Sequence, residues 1–387
     1  MYALLLFRFA GLPPDLSEGS NDLRIYRETG EAVLRGELPY RDFFIEYPPG
    51  SVPAFVPPAL FSDSTAGYIT LFANEMALVL VAALALTALV ARRVWSESTW
   101  LVPTVTFAAA AVLLYPVAVT RYDALVALTL AVAALCASSG GRAATVLAYA
   151  LLGFGAAAKL VPALATLPLA LVRRRNTVSG FAVFFAVVAL FFVPAILLAG
   201  GQFTESFAYH AQRGLQVESV GASVLMQLGW IQEIVFEFGA FEARGRGTDF
   251  ASSISLPVTA ALLGLTALVM YRRYRAGELG TGLFPRYAAA LVLAFMLGSK
   301  VLSPQYMIWL LPLIPLAAPG LAGLGVSTLF LAACWLTTQI FPVHYSDLLS
   351  LRSPGPELLL ARNTLLAFLW ALMLLLPINK PAEKAPQ

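Results

Sequence analysis

Long apolar segments alternate with short polar connectors along most of the chain. A short first segment at 2–12 is followed by longer ones at 66–91, 99–115, 124–138, 143–158, 160–172, 178–199, 254–271, 283–300, 304–318, 321–341 and 363–376. A bilayer core of about 30 Å takes roughly 20 apolar residues of helix. The segments lack the period-two alternation of barrel strands. The pattern therefore predicts an all-α polytopic membrane protein with about twelve transmembrane helices in a single domain over 1–387.

Basic residues orient these segments. Arginines cluster in alternate connectors at 92–93, 142, 173–175 and 272–275, and lysines occur in the tail at about 379–387. The positive-inside rule assigns these sites to the cytoplasmic side of the plasma (inner) membrane. Residues 143–172 form either one long tilted or broken helix or two crossings that meet at Lys159. Two crossings put every cluster on the same side, and the longer connectors, about 15–65, 200–253 and 342–362, then share the outer face.

Two of the outer loops contain further helix-like patterns. Residues 25–34 combine helix formers with an apolar stripe, and residues 227–241 mix aromatic side chains with two glutamates. Both patterns predict interfacial helices that lie on the membrane surface.

The composition agrees with this fold and argues against several classes of partner and cofactor. The chain is 59% hydrophobic and 12% charged, whereas soluble domains carry about twice that charged fraction. The net charge of +3 is spread over span ends, which does not indicate a nucleic-acid partner. Two histidines without acidic ligand spacing predict no metal site. Nucleotide-binding fingerprints are absent from the sequence, so we expect no cofactor and a substrate delivered within the membrane.

The polar insert at 21–58 holds the candidate catalytic carboxylates. Asp22 follows the first apolar segment almost directly, so it would lie just above the membrane as a general base or as a cap of the following helix. Glu46 and Tyr47 precede a double proline, which stiffens the backbone and fixes where the two side chains point. That double proline is equally compatible with a simple rigid turn.

Cations inside or beside the apolar segments are the candidate anion ligands. Lys159 and Lys300 interrupt spans, where a charge is costly and faces a cavity or a partner unless it snorkels to the surface. Arg121 and Asp123 occupy a short outer turn, where they either pair with each other or place Arg121 donors on a phosphate. Two further outer loops contribute the remaining polar candidates, namely His210, Arg213 and His344.

The order of short motifs resembles glycosyltransferase family 87 of the GT-C superfamily. The motifs are Asp22-Leu23-x-x-Tyr26, Gly36-x-x-Pro39-Tyr40, Glu46-Tyr47-Pro48-Pro49, Lys159-Leu160-Val161-Pro162 and Ser303-Pro304-Gln305-Tyr306 with Trp309-Leu310-Leu311-Pro312. The family includes polyprenyl-phosphate-mannose-dependent mannosyltransferases. The resemblance implies a GT-C fold, a sugar donor on a lipid phosphate and a lipid-linked or glycan acceptor that approaches from outside.

The resemblance also implies roles for particular residues. The catalytic acid of the family lies in the first outer loop, which corresponds to Asp22, and Gln305 and Tyr306 stand where many members carry a histidine. A histidine role would then fall to His210 or His344. The expected reaction is an inverting transfer of a hexose, with Lys159, Lys300 and Arg121 around the leaving phosphate. The alternatives are a transporter or flippase of a lipid-linked glycan and a non-catalytic membrane scaffold.

Overall fold

Apolar helices of unequal length build the membrane part of the protein. The computed structural model describes residues 1–10, 21–95, 100–278 and 283–377. Within these ranges five helices are long and apolar enough to cross a membrane, namely Thr65–Val94, Arg174–Ala199, Thr248–Arg275, Gly320–Val343 and Gly355–Leu375. Shorter apolar helices pack among them, namely Leu101–Leu113, Asp123–Ser139, Arg142–Ala158, Val161–Val172, Leu283–Gly298 and Pro304–Leu316. The predicted helical membrane fold is confirmed.

Short elements surround the ends of this bundle. They are the helices Tyr2–Ala10, Asn21–Leu34, Pro49–Ala54, Val56–Leu60, Tyr115–Ala118, Gly201–Gln212, Val220–Gln227 and Tyr345–Leu349, and the strands β1 (Ile231–Glu237) and β2 (Ala240–Gly245). The predicted tail lies outside the described residues, as does the start of the predicted first loop.

The chain leaves the helical conformation at Lys159. Lys159 has φ −161° and ψ 122°, which is extended backbone. The following helix opens with the 3-10 turn Val161–Ala165 because Pro162 cannot donate the hydrogen bond of a continuing helix. The break holds the Lys159 side chain at the end of the bundle opposite Arg142.

The span predicted at 304–318 is apolar and buried, but it is not an α-helix. Its residues instead form two 3-10 turns, Pro304–Leu310 and Ile314–Leu316, although nearly all of them are buried. Pro312 and Pro315 remove backbone donors that an α-helix would need. Neighbouring helices cover this irregular backbone, which is how such a segment is tolerated at membrane depth.

The interfacial helix predicted at 227–241 is wrong, because this segment contributes to a β-hairpin. Strand β1 pairs antiparallel with β2, and Glu237 faces Ala240 across the turn. Phe238 and Gly239 at the turn have φ of 48° and 68°, the left-handed pair typical of a two-residue hairpin loop. The β-branched and aromatic run Ile234–Phe236 prefers a strand, and the glutamates occupy exposed or half-exposed positions.

Arginines from distant connectors meet at one end of the bundle. Arg93 bonds Ser139, and Arg173 donates to the carbonyls at the end of the helix Asp123–Ser139. Arg174 donates to the hydroxyl of Tyr274 at 3.1 Å, at the end of another long helix. Cations stabilise helix carboxyl ends through the helix dipole. The connectors that the sequence assigns to one side of the membrane are thus together in space.

The first loop packs on the opposite end of the bundle. The helix Asn21–Leu34 buries Leu23 and Tyr26. Gly50 follows the double proline, and a Cβ there would come within 2.5 Å of the Ala157 backbone carbonyl carbon. Only glycine permits this approach, which brings the loop against the helix end that carries Lys159.

Candidate active site

A cavity of about 750 Å³ opens at the end of the bundle opposite the arginines. The first loop, the hairpin and five helix connectors contribute its walls. Nine of the predicted site residues line it, namely Asp22, Glu46, Tyr47, Arg121, Lys159, Arg213, Lys300, Gln305 and Tyr306. Phe236 and Phe241 of the hairpin line it as well. Most of the residues selected from the sequence therefore line one connected space.

Asp22 lies in the first turn of the helix Asn21–Leu34, and its carboxylate contacts side chains from two other segments. Arg121 Nε lies 2.8 Å from Asp22 Oδ2, and the hydroxyl of Tyr47 donates to Oδ1. The carboxylate remains about 29% exposed, whereas Arg121 is about 13% exposed. Asp22 thus faces the cavity beside a guanidinium.

An aromatic cluster fixes the position of Tyr47. The rings of Tyr26, Tyr47, Phe55 and Tyr122 lie with centroids between 4.3 and 5.9 Å apart. Such edge and stacked contacts add to the energy of burial. The cluster holds the phenol that bonds Asp22, so the carboxylate has a defined orientation.

Glu46 pairs with Arg213 on another wall of the cavity. Arg213 Nη2 donates to Glu46 Oε2 at 2.6 Å, and its Nε donates to the carbonyl of Phe238 in the hairpin turn at 3.0 Å. Burial raises the pKa of Glu46, although the Arg213 guanidinium opposes this shift. Glu46 therefore links the first loop to the hairpin through Arg213.

Lys159 and Asp123 form a buried pair at the base of the cavity. Lys159 Nζ donates to Asp123 Oδ1 at 2.7 Å, and Trp309 Nε1 donates to the same oxygen at 2.6 Å. The ammonium also lies 4.9, 5.5 and 5.2 Å from the ring centroids of Tyr122, Tyr306 and Trp309, within the range of cation–π attraction. Asp123 itself does not line the cavity, but it fixes the lysine that does.

We expect Lys159→Met to destabilise the protein strongly. The side chain of Asp123 is about 1% exposed, and removing one partner of such a buried pair costs about 3–5 kcal/mol. Thermal unfolding of the purified variant in detergent measures this loss.

The double variant Lys159→Met/Asp123→Asn should recover part of the stability, because it leaves no unpaired charge. Arg175→Met removes an exposed cation at the opposite end of the bundle and serves as the control. If Lys159→Met is as stable as the control and loses only donor binding, the ammonium acts on the ligand rather than on Asp123.

Lys300 joins two segments of the cavity wall. Its ammonium donates to the carbonyls of Ala211, at 3.0 Å, and Arg213. Gln216 completes this junction, since its side chain accepts from Leu302 N at 2.6 Å. Burial lowers the pKa of Lys300. Lys300 is thus a cation of the cavity whose described hydrogen bonds are to the backbone.

Of the two histidines, only His344 has a side chain within the described part of the chain. His344 Nδ1 lies 2.8 Å from Asp347 Oδ2, and His344 does not line the cavity. The side chain of His210 lies outside the described part of the chain, although its backbone belongs to the helix Gly201–Gln212. Within the described ranges, no three His, Cys, Asp or Glu side chains group as metal ligands.

Sequence reasoning missed a polar corner of the cavity around Glu218 and Tyr345. Both residues line the cavity. Burial raises the pKa of Glu218 to about 7. Burial and the neighbouring carboxylate keep the pKa of Tyr345 well above its usual range, so its hydroxyl stays a donor. In the sequence, Glu218 belongs to the same polar outer segment as His210 and Arg213, whereas Tyr345 belongs to a much later segment.

Comparisons with known proteins agree with this architecture. The model of glycosyltransferase family 87 matches residues 44–304, a range that begins after Asp22 and includes Glu46, Arg121, Lys159 and Lys300. No curated protein sequence matches the chain.

Two solved structures are similar to the fold. ArnT from Cupriavidus metallidurans bound to undecaprenyl phosphate aligns with a TM-score of 0.51 and 15% identity, over 96% of this chain and 76% of that one. The apo state of ArnT gives a TM-score of 0.48 and 13% identity, over 95% and 76%. At this identity the first similarity shows the fold alone, which is the GT-C fold.

Proposed function

The chain belongs to glycosyltransferase family 87, and we propose that it transfers a hexose, mannose in the first instance, from a polyprenyl-phosphate donor. The acceptor is a lipid-linked or glycan hydroxyl on the extracytoplasmic face. One observation carries this proposal: a cavity-facing carboxylate, Asp22, lies beside the guanidinium of Arg121. The undecaprenyl phosphate bound to ArnT, which has a similar fold, supports a lipid-phosphate donor.

The chemistry that fits this pair is a single displacement. The acceptor oxygen forms a bond to the anomeric carbon while the bond from that carbon to the phosphate oxygen breaks. Asp22 takes the proton of the acceptor hydroxyl as general base. The polyprenyl phosphate leaves with the electron pair, so the configuration of the sugar inverts in one step without a covalent enzyme intermediate.

Arg121 is the cation that we assign to the departing phosphate. A guanidinium presents several donors in a plane that suits phosphate oxygens, and Arg121 is mostly shielded from water, where such charge stabilisation is strongest. Lys159 and Lys300 line the same cavity, but their ammonium groups bond Asp123 and backbone carbonyls. They add positive potential to the cavity, and Arg121 provides the direct contact.

Incubation of the purified protein with radiolabelled polyprenyl-phosphate mannose and a membrane-lipid acceptor extract tests this proposal. The expected result is label in a new glycosylated product and release of polyprenyl phosphate. The flippase alternative predicts instead that intact donor moves between leaflets of proteoliposomes without transfer. Movement without any labelled product would overturn the proposed reaction.

We also expect the cavity to open on the extracytoplasmic side. Single cysteines that replace the exposed residues Glu28 and Glu233 should react with a membrane-impermeant maleimide in intact cells. Arg175→Cys, at the arginine-rich end, should react only after lysis. Cys136 and Cys334 are buried and give little background. The reverse labelling pattern would place the site on the cytoplasmic side.

A further inference from the structure

One corner of the cavity combines polar and aromatic side chains that have no role in the reaction described above. Glu218 and Tyr345 supply a carboxylate and a phenol, and the rings of Phe241 and Phe341 flank Tyr345. Their centroids lie 5.8 and 5.0 Å from that of Tyr345, at interplanar angles of 76° and 89°. All four residues line the same cavity as Asp22.

The backbone around Glu218 is held by two neighbouring residues of the last helix. Arg362 Nη2 donates to the Glu218 carbonyl at 3.0 Å, and Asn363 Nδ2 bonds Ser223 Oγ at 3.0 Å. Arg362 and Asn363 are almost completely buried. The position of Glu218 is therefore defined by a membrane helix rather than by its own loop.

The Glu218 carboxylate is incompletely satisfied. Its side chain is about 2% exposed, and Oε2 lies 3.9 Å from Arg362 Nη2, beyond hydrogen-bond distance. This oxygen has no hydrogen-bond partner among the described residues. Buried carboxylates normally bond several donors, so Glu218 retains unused acceptor capacity.

We propose that Glu218, Tyr345, Phe241 and Phe341 form a pyranose-binding subsite in which the carboxylate and the phenol bond sugar hydroxyls. A hexose ring has hydroxyl donors around its edge, which suit the carboxylate. It has C–H groups on its faces, which suit the aromatic rings. The subsite rests on the proposed function and adds the residues that select the sugar. The sugar is that of the donor or that of the acceptor.

Arg121 favours the donor, because the guanidinium assigned to the departing phosphate and the phenol of Tyr345 line the same cavity. A sugar linked to a phosphate at Arg121 would extend toward this corner.

The test compares Glu218→Gln and Phe241→Leu with the wild type in three measurements. These are the KM for the polyprenyl-phosphate sugar, the KM for the acceptor, and the Kd for sugar-free polyprenyl phosphate. Loss of a hydrogen bond to a charged group should raise one KM about ten- to hundredfold. The Kd for sugar-free polyprenyl phosphate should not change, and the KM that rises identifies the sugar concerned.

Two controls separate the possible outcomes. Glu233→Gln removes an exposed carboxylate of the hairpin that does not line the cavity, and it should leave all three values unchanged. Phe241→Leu keeps the Glu218–Arg362 contact, so the test survives if Glu218→Gln fails to fold. Unchanged KM values in both variants, or an equal weakening for sugar-free polyprenyl phosphate, would overturn the subsite.

Saturation-transfer NMR can measure the binding of methyl mannoside, so the subsite can be tested without turnover. A wild type that binds the mannoside but transfers no sugar would overturn the proposed reaction and leave the subsite standing. If the wild type transfers sugar and the signal is the same in wild type and Glu218→Gln, the subsite fails while the reaction stands.

Discussion

Asp22→Asn is expected to slow hexose transfer by roughly two to four orders of magnitude, the range for loss of a general base. Asparagine keeps the size of the side chain, and its oxygen can still accept the hydrogen bond from Tyr47. It lacks the negative charge, so it loses both the basicity needed to take the acceptor proton and the ion pair with Arg121. Initial rates with labelled donor at saturating acceptor measure the effect, and thermal unfolding in detergent checks that the variant is folded.

The control for this variant is Glu28→Gln on the same helix, where an exposed carboxylate about 3.7 Å from Arg24 loses its charge. It should transfer sugar at the wild-type rate. Binding of sugar-free polyprenyl phosphate distinguishes the base from a residue that only positions Arg121, because a base leaves this binding intact. Near-normal turnover of Asp22→Asn would transfer the role to Glu46, the next carboxylate of the cavity.

Arg121→Gln should lower transfer by roughly 10²–10³-fold, the typical effect of removing one donor that stabilises transition-state charge. The physical reason is that phosphate charge grows as the anomeric bond breaks, and Arg121 is mostly shielded from water. Sugar-free polyprenyl phosphate should also bind more weakly, as isothermal titration in detergent can show.

Arg121→Lys keeps the charge but loses the planar donor set. Its transfer rate should therefore lie between those of the wild type and Arg121→Gln. Arg244→Gln removes a half-exposed guanidinium of the hairpin and is the matched control. If Arg121→Gln binds the lipid phosphate like the wild type, the guanidinium serves only to hold Asp22.

The helical membrane fold was predictable because the length of each apolar segment and the positions of the flanking arginines are local features of the sequence. Lys159 shows how a single charge in an apolar segment marks a break between helices. The 3-10 turns after Pro304 were harder to foresee, because the composition is that of a span and only the spacing of Pro304, Pro312 and Pro315 argues against it. The hairpin had a usable signal in its β-branched run and its Phe238-Gly239 turn.

The sequence predicted which residues belong to the site, and the structure shows which of them pair with each other. Asp22 joins Arg121, whereas Asp123 joins Lys159, although the turn between 120 and 123 suggested an Arg121–Asp123 pair. Sequence spacing does not determine such partners, because they depend on how helices pack in three dimensions. Glu218 escaped selection for the same reason, since its neighbour Tyr345 belongs to a much later loop.

The Glu46–Arg213 pair also has a consequence for biosynthesis. Its members are 167 residues apart, so at ordinary translation rates the ribosome adds Arg213 roughly 10 to 30 s after Glu46. During that interval the first loop is already made but lacks its long-range partner.

Both members of each local charge pair in the first loop have already been synthesised when that interval begins. Arg24 and Glu28, Arg27 and Glu31, Arg35 and Glu37, and Arg41 and Asp42 all lie within 4.0 Å of each other. We expect the nascent loop to rely on these neighbours for solubility until the later helices arrive and the cavity closes around it.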